Sequence, residues 1–243
     1  MFGRLLEVSI ATSDIAASVQ FYERLGFSQL ITNDALSHRY GVLSDTRLHL
    51  GLHECTMASP AVTFVRPDVA LSLPQLASAG IEPHAIDFGE QSLHRAELRD
   101  PGGHPVVLLE ARTYSPAADS RALESLCGYF SFLSLPERDF GAARIFWEHA
   151  GFVSMAEEDD PFPHQPLTSD HIDLAFHSRR MFDAPLLVFE SENMAVTMAR
   201  LRAIDTPLSA DLPRGLDPEH HALIEAPEGT ALLLIPASRD HTG

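Results

Sequence analysis

Residues 4–27, RLLEVSIATSDIAASVQFYERLGF, are matched by residues 129–152, YFSFLSLPERDFGAARIFWEHAGF. Each copy places an aspartate, Asp14 or Asp139, ahead of a helical pattern. An aromatic pair follows, Phe21-Tyr22 or Phe146-Trp147, and then Gly26-Phe27 or Gly151-Phe152. The charged strand residue of the first copy, Glu7, stands opposite Phe132 in the second. In the first copy Leu6, Val8 and Ile10 alternate with Glu7, Ser9 and Ala11, the period of a strand with one buried face. Ser13 or Asp14 then caps a helix whose Ile15, Val19, Tyr22 and Leu25 form one apolar stripe, ending at Gly26.

Outward from this segment, HRAELRDPGGHPVVLLEA (94–111) is echoed by HHALIEAPEGTALLLIPA (220–237). Strand-like runs fill the space between start and tail: FSQLIT, HRYGVL and RLHLGLHE, then AVTFV, the helical VALSLPQLASAG, and IEPHAI, LHRAELR and PVVLLEA. The unit is strand, helix and three strands, used four times. TYSPAADSRALES, rich in Pro, Ser and Ala, separates the halves. The expected organisation is a domain over 1–113, a linker over 114–125 and a second domain over 126–243, each of ordinary domain size.

Composition narrows the chemistry. The formal charge of −17 disfavours nucleic acid and anionic membrane as partners, both of which reward clustered positive charge. All 17 basic residues are arginine, which removes Schiff-base chemistry and the phosphate-loop lysine. Cys55 and Cys127 stand apart with no metal-ligand spacing, and read as reduced thiols in a cytoplasmic protein. No stretch is apolar enough to span a membrane. Gly102-Gly103 marks a turn ahead of a strand, not a phosphate cradle. The expected partner is a small molecule, and the sequence is compatible with a homodimer.

The segments SDIAASVQFYERLGF, LSLPQLASAGIEP and DPGGHPVVLLE resemble the vicinal oxygen chelate superfamily, which includes glyoxalase I, bleomycin-resistance proteins and extradiol dioxygenases. The resemblance covers nearly the whole chain. It implies an α+β fold of two tandem domains, with four βαβββ modules whose curved mixed sheets form ligand cups. In the metal-dependent members each module supplies one ligand from its first strand and one from its last. Those positions fall at Glu7 and His49 in the first module, and at Ala61 and Val107 in the second. In the third they fall at Phe132 and Asp173, and in the fourth at Leu186 and Leu233. Any pairing of modules yields two ligands at most, so the expectation is a chain with no metal and no other cofactor.

The polar residues of the first cup then become the candidate site. Glu7 and His49 are expected to act as an acid–base pair in one pocket, with Ser9 and His53 on the same face contacting a ligand. Phe130, Phe132 and Asp173 are expected to line a second, aromatic cup, with the acidic loop AEEDDPFPHQP (156–166) as its cover. The leading expectation is a glyoxalase- or bleomycin-resistance-like protein that binds a small aromatic or amphipathic molecule. The alternatives are an isomerase or lyase using Glu7 and His49, and a divalent-metal glyoxalase- or dioxygenase-type enzyme.

Overall fold

The computed structural model describes residues 2–32, 36–45, 47–89, 94–111 and 125–237. Strand β1 (Arg4–Ala11) leads to helix α1 (Ile15–Arg24), then to β2 (Ser28–Leu30), β3 (Tyr40–Ser44) and β4 (His49–His53). The unit repeats as β5 (Ala61–Arg66), α2 (Val69–Ser78), β6 (Ala85–Asp87), β7 (Arg95–Arg99) and β8 (Pro105–Glu110). Together they make one mixed sheet in the order β2-β3-β4-β1-β5-β8-β7-β6. Inside each unit the first strand runs parallel to the last, and the two units meet antiparallel at β1 and β5. The expected linker lies, apart from Ser125, outside the described residues.

The second half gives β9 (Tyr129–Glu137), α3 (Phe140–Ala150), β10 (Val153–Ser154), β11 (His164–Thr168) and β12 (Leu174–Ser178). It continues with β13 (Leu186–Ser191), α4 (Met194–Ala203), β14 (Ala222–Glu225) and β15 (Ala231–Pro236). Its sheet runs β10-β11-β12-β9-β13-β15-β14, one strand fewer than the first. The fourth unit is therefore βαββ among the described residues, where a full βαβββ module was expected. Pro207, Pro213 and Pro218 remove backbone donors from the stretch between α4 and β14. Ser209 alone bonds there across to β14, through its N–H to Leu223 O at 2.7 Å.

Local chemistry explains the elements. Asp14, not Ser13, caps α1, its carboxylate accepting from Ala17 N at 3.1 Å, and Asp139 caps α3 through Ala142 N at 3.0 Å. Strand β1 carries a register shift between Leu5 and Glu7. The shift inserts one residue, so Leu5 joins Val8 and Ile10 at the core in place of Leu6. Glu7 and Ser9 still face the concave side.

The helices and the convex faces of both sheets share one apolar core. The Phe2 ring lies 5.8 Å from that of Phe64 and 5.6 Å from that of Phe146 in the other half, and Phe27 meets Phe189 at 6.3 Å. Each buried aromatic adds about 1.5–3 kcal/mol of apolar transfer free energy, so the two halves stabilise each other through these contacts. A second cluster, with Phe162, Leu186, Val188, Leu223 and Leu233, fills the concave side of the second sheet. Among the described residues no helix is long and apolar enough to cross a membrane.

Candidate functional site

The first concave face is polar and internally bonded. Glu7 is 2% exposed and sits at its centre. Its Oε1 accepts from Ser9 Oγ at 2.7 Å and lies 2.8 Å from His53 Nε2, while Oε2 accepts from Tyr40 O–H at 2.5 Å. Ser9 Oγ also meets Thr63 Oγ1 at 2.7 Å, and His53 Nδ1 lies 3.0 Å from His38 Nε2. Gly51 is what admits this carboxylate, because a Cβ there would stand 2.0 Å from the Glu7 carboxyl. A buried carboxylate needs such partners to offset its desolvation.

Cross-strand register shows which residues share a row. Ser9 pairs with Gly51 and Glu7 with Thr63, and Thr63 pairs with Val107, so one row reads His49, Glu7, Thr63, Val107. His49 thus stands beside Glu7, but its hydrogen bond goes to the backbone of Leu6, and burial holds its imidazole below the ordinary histidine range. The histidine bonded to Glu7 is His53. Burial, followed by the neighbouring His53 and Arg95, also lowers His38. Neither thiol joins the site. Burial pushes Cys127 up to about 12 and raises Cys55, so neither is a thiolate at neutral pH.

The second concave face is closed by its own side chains. Phe132 stacks on His164 at 5.3 Å and 11°, and Phe162 from the 156–166 loop packs against His164 and His177. Met181, Phe182, Leu212 and Leu216 pack on the same cluster. Phe130 is on the opposite face, in the helix-side core against Phe189, because the register shift at residue 131 turns it away from Phe132. Asp173 is half-buried at the head of β12, where its carbonyl accepts from Leu133 N at 3.1 Å. The equivalent row reads Asp173, Phe132, Val188, Leu233. Register therefore puts Thr63 and Val188, not Ala61 and Leu186, in the rows of Glu7 and Phe132.

A third cluster lies where the halves meet. Asp100 and His104 flank the turn before β8, and Glu137 ends β9. Their ligand atoms all lie within 4.8 Å of one another. Asp100 Oδ2 accepts from Trp147 Nε1 at 3.1 Å and its Oδ1 from His104 N at 2.7 Å. His104 Nε2 donates to Pro136 O at 3.1 Å. Arg179 spans the junction, donating to Pro136 O at 3.2 Å and to Gly102 O at 2.7 Å. Burial, and then the charge of Asp100, push the Glu137 carboxyl up to about 8. A cavity of about 600 Å³ opens beside Glu137, bordered by Arg138, Ser178, Arg179, Arg180 and Asp183.

No sequence-family profile matches the chain, and no curated protein matches it. Solved structures do. A catechol 2,3-dioxygenase shares 16% identity over 97% of this chain and 88% of its own, with a TM-score of 0.58. The anaerobic substrate complex of homoprotocatechuate 2,3-dioxygenase from Brevibacterium fuscum shares 16% over 97% and 81%, at 0.63. An extradiol ring-cleaving dioxygenase from B. fuscum shares 16% over 97% and 72%, at 0.62. The chain has the vicinal oxygen chelate fold seen in these dioxygenases, with its two curved mixed sheets.

That fold raises the question of a metal. At the ligand positions of the two cups the row of Glu7 adds a histidine, a threonine and a valine, and the row of Phe132 offers only Asp173. Those positions do not fit a metal ion. The group that does fit is Asp100, His104 and Glu137, two carboxylates and an imidazole. With this group at the junction, and dioxygenases as structural neighbours, the expectation of a chain without a cofactor does not stand.

Sequence reasoning missed His38, Tyr40 and Thr63, which reach Glu7 only through strand pairing. It also missed Asp100, His104 and Glu137. One signal for the last was present, since Glu137 aligns with Thr12 just as Phe132 aligns with Glu7.

Proposed function

We propose that the chain binds a small aromatic molecule beside the first concave face and exchanges a proton with it through Tyr40, Glu7 and His53. The observation that carries this reading is the 2.5 Å bond from Tyr40 to the buried Glu7 carboxylate. Tyr40 borders a cavity of about 390 Å³, with Gln29, Leu30, Ile31, Thr32 and Gly41, a size suited to a small molecule. Behind Tyr40 the bonds continue through Glu7 and His53 to the half-buried His38, a chain able to pass a proton between ligand and solvent. Ser9, bonded to Glu7, holds the carboxylate in place. Charge and cysteine content support a cytoplasmic setting.

The structural neighbours make dihydroxybenzenes the first probes to try. Calorimetric titration of the full chain with catechol and 3,4-dihydroxyphenylacetate, followed by a panel of small phenols and aromatic acids, tests the reading. The expected result is binding that Glu7→Gln and Tyr40→Phe each weaken by about tenfold or more, roughly 1.4 kcal/mol. Absence of binding across the panel, or affinity unchanged in both variants, would refute it.

A further inference from the structure

The two junctions between the halves are related by the internal duplication, and they handle a carboxylate differently. In one, Glu228 at the β14–β15 turn points at α1. Its Oε2 accepts from Ser18 Oγ at 2.7 Å and its Oε1 from Tyr22 O–H at 2.7 Å, with Thr12 bonded to Ser18 behind it. Neutral hydroxyls satisfy both oxygens.

In the other junction the aligned residues are Gly102 for Glu228, Ala143 for Ser18, Trp147 for Tyr22 and Glu137 for Thr12. The carboxylate has moved from the turn to the strand end. Glu137 fills the space that a side chain at 102 would take, since a Cβ there would stand 2.1 Å from its Oε1. The hydroxyl donors have not moved with it, and the carboxylate keeps a backbone bond from Arg138. Ala143 offers none, Trp147 N–H goes to Asp100, and Arg179 directs N–H groups to backbone carbonyls. Glu137 is 3% exposed and its Oε1 has no hydrogen-bond partner; His104 Nε2 stands off at 3.6 Å. A second carboxylate, Asp100, lies in the same group. Buried polar atoms are otherwise almost always paired, so an unpartnered oxygen beside a second carboxylate and an imidazole is placed to ligate a cation.

We infer that Asp100, His104 and Glu137 form a divalent-cation site that ties the two halves together. Two carboxylate oxygens and an imidazole nitrogen suit a first-row ion such as Mn²⁺, Co²⁺ or Zn²⁺ better than Mg²⁺ or Ca²⁺, which favour all-oxygen ligand sets. The 600 Å³ cavity at Glu137 gives the ion an entry path and leaves room for water to complete its coordination. The site is separate from the Glu7 network and stands or falls independently of it.

The test uses the full chain stripped with chelator and titrated calorimetrically with Mn²⁺, Co²⁺ and Zn²⁺ in turn. Visible absorption of the Co²⁺ form reports on its ligands. The expected result is one equivalent bound, weakened by more than about tenfold in Glu137→Gln and in His104→Ala and unchanged in Glu7→Gln. Glu137→Thr, which installs the residue of the other junction, is the second check. It removes the unpaired buried carboxyl oxygen, so the stripped variant should melt no lower than the stripped parent and should gain nothing from added ion. Absence of stoichiometric binding up to about 1 mM ion, or binding that survives both Glu137 substitutions, would overturn the proposal.

Discussion

His177 shows how one residue carries the pH response of its neighbourhood. It is fully buried, its Nε2 donates to Phe182 O at 3.0 Å, and its Nδ1 faces Ser134 Oγ at 2.7 Å. With the ring proton given to a carbonyl, Nδ1 accepts from Ser134 and the imidazole is neutral. Burial is the main cause that holds it down to about 4, against an ordinary 6.5. The folded value is the lower one, so the unfolded chain takes up a proton first as pH falls. The contribution is fully present above about pH 6.5 and is lost progressively toward pH 4, by roughly 3 kcal/mol at most. We predict that urea midpoints of the parent fall between about pH 6.5 and 4.5 by more than those of His177→Gln. Parallel curves for the two proteins would contradict this account.

At the scale of elements, the 156–166 loop decides what the second sheet can do. Its acidic residues read as a solvated connection and a cover. The structure places Phe162 at 2% exposure in the concave face, against His164 and His177, with the loop closed by bonds between Glu158 and His164 at 2.8 and 2.9 Å. The loop is thus a plug, and its one large apolar residue supplies the binding energy. We predict that Phe162→Ala costs about 3–5 kcal/mol in urea denaturation and opens an apolar hollow that binds a hydrophobic dye. A loss below about 1 kcal/mol would mean that the loop merely rests on the sheet.

At the scale of the molecule, the two halves are not independent. One apolar cluster includes Phe2, Phe64, Phe146, Phe27 and Phe189, and the main-chain bonds Phe2 N to Ala150 O (3.2 Å) and Leu126 N to Leu25 O (2.7 Å) cross between them. Splitting the chain would expose this shared core to water, so neither half can open at low cost. We predict one calorimetric transition, with calorimetric and van't Hoff enthalpies equal. Two resolved transitions would show that the halves unfold separately.

The sequence by itself determined the local and repetitive features. Asp14 and Asp139 announce helices because a side-chain cap is a contact within a few residues. The period of two in β1 sends Glu7 to the face opposite Val8 whatever the strand pairs with. Duplication then multiplies one readable unit into a whole architecture, which is why the vicinal oxygen chelate fold was legible. Tertiary structure alone decided which partners meet. Glu7 stands level with His49 by register, yet its carboxylate crosses the bare Gly51 to His53, which depends on side-chain reach rather than on row. Tyr40 and His38 arrive from β3 and the segment before it, over pairings that no spacing encodes. A bulge at residue 131 turned Phe130 into the core, and prolines left the fourth unit a strand short. The junction group lies furthest from view in the chain, because Asp100 and Glu137 are far apart in sequence and become neighbours only when the second half docks on the first.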